Sequence, residues 1–155
     1  DIVIVSPDVG GIKMARAYAK RLGAALAIVD KRGMSAEKTE VMHILGDVKD
    51  KNVVMIDDII ATASSLVEAA NALKGFGAKG IYAAASHGVL SGPAKERIAN
   101  CKDLLEVIVT NSIPLANSQD CPKIKQLSVA PLLAEAIART HNEESISSLF
   151  EEIRN

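Results

Sequence analysis

Val53-Val54-Met55-Ile56-Asp57-Asp58-Ile59-Ile60-Ala61-Thr62-Ala63-Ser64-Ser65 decides the reading of this chain. The apolar run from Val53 to Ile56 reads as a buried strand, and it ends in two adjacent carboxylates. A short loop of small and hydroxyl-bearing residues follows, and a helical pattern starts at residue 65. A loop that opens a helix presents backbone N–H groups where the helix dipole favours an anion. Thr62, Ser64 and Ser65 add hydroxyl donors, and small neighbours let a phosphate approach the backbone. Carboxylates can accept hydrogen bonds from vicinal sugar hydroxyls or hold Mg²⁺. A phosphate pocket beside a diol pocket suits a 5-phosphorylated ribose. Neighbours on a regular strand point to opposite faces, so Asp57 and Asp58 act together only if the chain turns there.

Outward from this stretch, short apolar runs alternate with helical patterns. Residues 2–5 read as a strand and 7–11 as a turn. Residues 12–22 read as a helix with Ile12, Ala15, Ala19 and Leu22 inward, ending at Gly23. Residues 25–29 read as a second strand. The charged stretch 30–40 reads as a solvated loop and a candidate mobile flap. Strands are expected at 41–45, 81–85 and 105–109, with a short edge strand at 127–129. Helices are expected over 65–74 (Leu66, Val67, Ala70 and Leu73 inward), from Pro93 to Ala99, and from Pro131 to about Thr140. Ile146, Leu149, Phe150 and Ile153 form a helical stripe in the tail. Strands spaced by helices predict an α/β fold, a mainly parallel sheet flanked by helices on both faces. Ligands then bind beyond the carboxyl ends of the strands.

At 155 residues the chain suits a single domain with its own core. A net charge of −1 and 3% aromatic residues argue against nucleic acid as a partner. No apolar run is long enough to span a membrane. Cys101 and Cys121 make no metal or redox spacing and read as reduced thiols of a cytoplasmic protein. The chain opens on its first strand without an initiator Met, which reads as a piece of a longer protein or a trimmed one. Asp8 in Pro7-Asp8-Val9-Gly10-Gly11 either shapes a turn or serves a site. His87 follows a predicted strand, with Gly88 hinting at a tight bend; His43 reads as a strand residue and His141 as a helix-end residue.

Residues 53–65 resemble the phosphoribosyl-diphosphate binding motif of type I phosphoribosyltransferase folds. Ser6-Pro7-Asp8-Val9-Gly10-Gly11, Asp30-Lys31-Arg32, Gly46-Asp47-Val48, Ser86-His87, Val109-Thr110-Asn111-Ser112-Ile113-Pro114 and Asn142-Glu143-Glu144-Ser145-Ile146-Ser147 narrow the likeness. Their order is similar to that in the ribose-phosphate pyrophosphokinase family, over the carboxyl-terminal half only. The resemblance implies one phosphoribosyltransferase-like domain over 1–155, with the amino-terminal half absent. It implies transfer of pyrophosphate from ATP to ribose 5-phosphate, giving phosphoribosyl diphosphate and AMP, with Mg²⁺ as cofactor. It also implies a homo-oligomer, the family hexamer. Asp8 is similar to a family Mg²⁺ ligand. Asp57 matches the acid on the ribose hydroxyls, with Asp58 beside it, and Ala61, Thr62, Ala63, Ser64 and Ser65 match the 5-phosphate loop. Lys31 matches the flap lysine, a catalytic cation.

The chain departs from the family pattern at Gly33, where a second flap cation is usual, at Ala61, where an acid is common, and at Ser64-Ser65, where Gly-Thr is common. Two alternatives stay open, the first favoured by Gly33 and Ala61 and the second allowed by the 53–65 motif alone. One is a regulatory paralogue or subunit that binds without chemistry. The other is a phosphoribosyltransferase that consumes phosphoribosyl diphosphate. The isolated domain is expected to be inactive, because most ATP contacts belong to the missing half and a neighbouring subunit.

Overall fold

A computed structural model describes residues 1–32, 41–115 and 121–150. Seven strands and four helices follow one another as β1 (Ile2–Ser6), α1 (Ile12–Leu22), β2 (Ala25–Arg32), β3 (Val41–Leu45), β4 (Asn52–Ile60), α2 (Ser64–Gly75), β5 (Gly80–Gly88), α3 (Ala94–Asn100), β6 (Leu104–Thr110), β7 (Ile124–Leu127) and α4 (Ala130–His141) among the described residues. The strands form one sheet in the order β3-β2-β1-β4-β5-β6-β7. Every neighbouring pair is parallel except β2–β3, which is antiparallel. Helices α1, α2 and α3 each lie between two parallel strands, the crossover such pairs require.

Alternation along the central strands divides the core between two faces. Val3, Val5, Val53 and Met55 pack with Leu66, Ala69 and Leu73 of α2 and with Ala94 and Ile98 of α3. Ile4 and Ile56 point the other way, onto Ala15 and Ala19 of α1. Helices therefore cover both faces, as the alternating pattern predicts. The strand order reverses between β1 and β4, which makes the gap beyond their carboxyl ends the topological switch point.

Several boundaries differ from the sequence reading, each for a packing reason. Asp30, Lys31 and Arg32 continue β2, because they pair with His43, Met42 and Val41 of β3. The ladder thus overrides the loop-like charge of this stretch; residues 33–40 lie outside the described residues. The last strand runs over Ile124–Leu127 because Ile124 supplies the buried side chain. Ser128 instead leads into α4, its Oγ accepting from the Ala130 amide at 3.3 Å. The inward stripe of α1 stops at Ala19, and Leu22 is 61% exposed. The tail forms a short 3₁₀ turn over Ser147–Phe150, and Ile153 lies outside the described residues. Gly88 ends β5 without a left-handed bend. A Cβ there would meet the Val109 methyls at 3.0 Å, so close strand packing accounts for the glycine.

Candidate functional site at the strand switch point

The first wall of the site is the turn between β1 and α1. Ser6 is fully buried, and its hydroxyl donates to the Asp8 carbonyl at 2.6 Å. The Asp8 carboxylate folds back to accept the Gly11 amide at 2.9 Å. This fold-back needs the two glycines. A Cβ on Gly10 would come within 3.2 Å of Asp8 Oδ1, and one on Gly11 within 2.9 Å of Ser6 Oγ. The result is a carboxylate held at both ends of its residue yet exposed to solvent.

The second wall is the end of β4. Ile56 belongs to the cluster on the α1 face, whereas Ile60 belongs to the one on the α2 face. An even separation on a regular strand keeps two residues on one face, so the backbone rotates over 57–59. That rotation lets Asp57 and Asp58 line the same depression, a volume of about 350 Å³ shared with Asp8 and Lys13. The two carboxylates share this depression although residues 57–60 stay within β4. Asp57 Oδ1 accepts the Asp58 amide at 2.8 Å. Burial, followed by the neighbouring Asp58 and Asp8 carboxylates, pushes the Asp57 pKa up to about 6, against the lowering effect of the Asp58 amide.

An adjoining depression of about 180 Å³ is lined by Asp8, Asp57 and the loop through Ser65. Ala63 is the N-cap residue of α2, with φ 58°, a left-handed conformation that costs a non-glycine residue roughly 1 kcal/mol or more. No side chain caps the helix start, so its first amides remain available to an anion. The loop carbonyls face elsewhere. Those of Ile60 and Ala61 accept the Leu90 and Ser91 amides, each at 3.0 Å, and that of Thr62 accepts Arg97 Nη1 at 2.9 Å. Ser64 lines the same depression, and its hydroxyl donates to Glu68 at 3.1 Å.

The structure thus brings Asp8, Asp57, Asp58 and residues 61–65 together. It places the backbone of Lys31 on β2, next to β1, while the Lys31 side chain and Gly33 lie outside what is described. His87 sits within β5 opposite Ile59, its Nδ1 2.8 Å from Ser112 Oγ. Sequence reasoning missed two supports, Ser6 and Arg97. The Ser-Pro-Asp spacing hints at the first; nothing local marks the second.

Mg²⁺ fits this donor set. It prefers oxygen ligands and commonly takes one or two carboxylates, with the remaining positions filled by substrate and water. Asp8 and Asp57 border both depressions. Among the described residues no group of three or more His, Cys, Asp or Glu side chains could hold a metal ion by itself.

Comparison with known proteins gives a consistent result. Residues 32–151 match the phosphoribosyl synthetase-associated domain family. A ribose-phosphate pyrophosphokinase of Clostridium perfringens is 49% identical over 152 residues, covering 98% of this chain and 47% of that protein. The chain therefore spans about half the length of such relatives. The phosphoribosylpyrophosphate synthetase of Mycobacterium smegmatis superposes with a TM-score of 0.82 at 40% identity, over 92% of this chain and 46% of the other. An orotate phosphoribosyltransferase from Aeropyrum pernix, at 19% identity and a TM-score of 0.56, covers 88% of this chain and 64% of its own and shares the fold.

Proposed function

The chain belongs to the phosphoribosyl synthetase-associated domain family, and from that premise we propose that it is the ribose 5-phosphate-holding part of a ribose-phosphate pyrophosphokinase. The observation that carries this reading is the pair of adjoining depressions that share Asp8 and Asp57, one rimmed by carboxylates and the other by the uncapped start of α2. The 5-phosphate would sit on the amides and hydroxyls of residues 61–65, and Asp57 and Asp58 would accept from the ring hydroxyls. Such contacts orient the anomeric hydroxyl for attack on ATP, the kind of positioning on which phosphoryl chemistry mostly depends. Asp8 and Asp57 are the residues that would hold Mg²⁺, which when bound neutralises charge on the transferred group. Lys31 is the candidate cation for the same charge. The reading extends to a cytoplasmic homo-oligomer in which other chain segments supply the ATP contacts, so the 155-residue chain alone should release no AMP.

Ala61 favours a second reading, a subunit that binds without chemistry, because its methyl group offers no acceptor at the rim of the loop. Supplying the amino-terminal half of a relative in trans separates the two. AMP release supports synthesis, and sugar-phosphate binding without AMP release supports the binding subunit.

The direct test of the site is a ribose 5-phosphate titration with and without Mg²⁺. Mg²⁺ should tighten binding to the unaltered chain. Asp57→Asn should weaken it about 10- to 100-fold, the range for losing a charge-assisted hydrogen bond. Equal binding by Asp57→Asn and the unaltered chain would sink the assignment.

A further inference from the structure

We propose that Arg97 is a positioning residue for the anion-binding loop, an inference that rests on the ribose-phosphate reading of that loop. The carbonyl of one residue and the amide of the next share a planar trans peptide and point in opposite directions. Three successive carbonyls, those of Ile60, Ala61 and Thr62, are drawn toward the segment that runs from β5 into α3. The amides of residues 61, 62 and 63 are therefore turned away from that segment. The depression at the start of α2 is lined by Asp8, by the end of β4, by the loop itself and by the first residues of α2, and by none of the described residues of the β5–α3 segment. Successive amides converging on one side make an anion-binding concavity.

The three anchors are not equivalent. Two are backbone amides, which the fold supplies whatever the side chain. The third is a half-buried arginine side chain reaching from α3 to a carbonyl directly before the left-handed Ala63. Ala63 must hold a conformation that its own sequence disfavours, so the peptide preceding it needs an external clamp. The guanidinium donates and cannot lose its proton near neutrality, which makes the clamp constant with pH. Arg97 would touch neither sugar nor phosphate, and its effect would pass through the Thr62–Ala63 peptide.

The test compares the unaltered chain with Arg97→Met and Arg97→Lys by amide chemical-shift titration, using inorganic phosphate, ribose 5-phosphate and Mg²⁺ as separate probes. In Arg97→Met, shifts at residues 61–65 should require at least tenfold more phosphate or ribose 5-phosphate. The Mg²⁺ response at Asp8 should stay unchanged, and Arg97→Lys, which keeps one cationic donor, should recover part of the loss. A general loss of structure would move both responses, so the split between anion and Mg²⁺ isolates positioning. Should Arg97→Met not fold, Arg97→Lys alone reads the same split at a smaller amplitude. Equal anion titrations in the unaltered chain and both variants would overturn the role of Arg97 while leaving the site assignment standing. An unaltered chain that shows no anion response at 61–65 would overturn the site assignment and the inference together.

Discussion

At the scale of single residues, the site joins features that oppose stability. Asp57 is a carboxylate whose folded-state pKa, about 6, lies above its ordinary value of 3.8. Between those values the folded chain binds more protons than the unfolded one, so stability falls as pH rises from about 4 to about 6 and then levels off. Solvent screening at a half-exposed side chain reduces the effect to about 1 kcal/mol. Asp57→Asn should therefore melt about 2–4 °C above the unaltered chain at pH 7.5 in metal-free buffer, with the gap closing near pH 4. Calorimetry across that range checks it, and a constant gap would show that Asp57 is not the titrating group. The same substitution should weaken sugar-phosphate binding, which is the usual conflict between a polar site and the stability of its scaffold. Ser6 illustrates the opposite case. It is a fully buried hydroxyl, satisfied by the Asp8 carbonyl, that fixes the β1–α1 turn from inside the core.

At the scale of elements, the site depends on a strand, β4, that changes the face it buries before it ends. The β4–β5 ladder continues through Ile60 opposite Gly88. Gly88 lets β5 pass Val109 of β6 with no side chain between them. Gly88→Ala should cost about 1–3 kcal/mol by overpacking, and Val109→Ala in the same chain should recover part of it. Urea denaturation of the two single variants and the double variant measures the coupling. Strictly additive costs would show that the two residues do not crowd each other. The rotation over 57–59 was not visible in the sequence, because Asp-Asp-Ile-Ile carries no Gly or Pro to mark it. It emerges from the assignment of Ile56 and Ile60 to opposite faces of the sheet.

At the scale of the whole molecule, stability is unevenly spread. The larger core gathers around α2, whose Leu73 is fully buried, while α4 buries none of its residues. Leu73→Ala should cost about 2–5 kcal/mol, whereas Ile137→Ala, at a position 70% exposed, should fall within about 0.5 kcal/mol of the unaltered chain. Denaturant midpoints for the two variants test this, and comparable losses would mean that α4 is part of the cooperative core. The core thus supports the β4–α2 junction, where the candidate site lies. The sequence by itself determined the alternation of strands and helices, the carboxylate pair and the small-residue loop, because hydrophobic period and residue chemistry are local properties. Tertiary structure alone decided the strand order, the antiparallel β2–β3 pair, the rotation that brings Asp57 and Asp58 to one depression, and the reach of Arg97 to Thr62. Each of these joins residues distant in the chain, or follows from which face of the sheet a side chain must bury, and neither is encoded in any single stretch of residues.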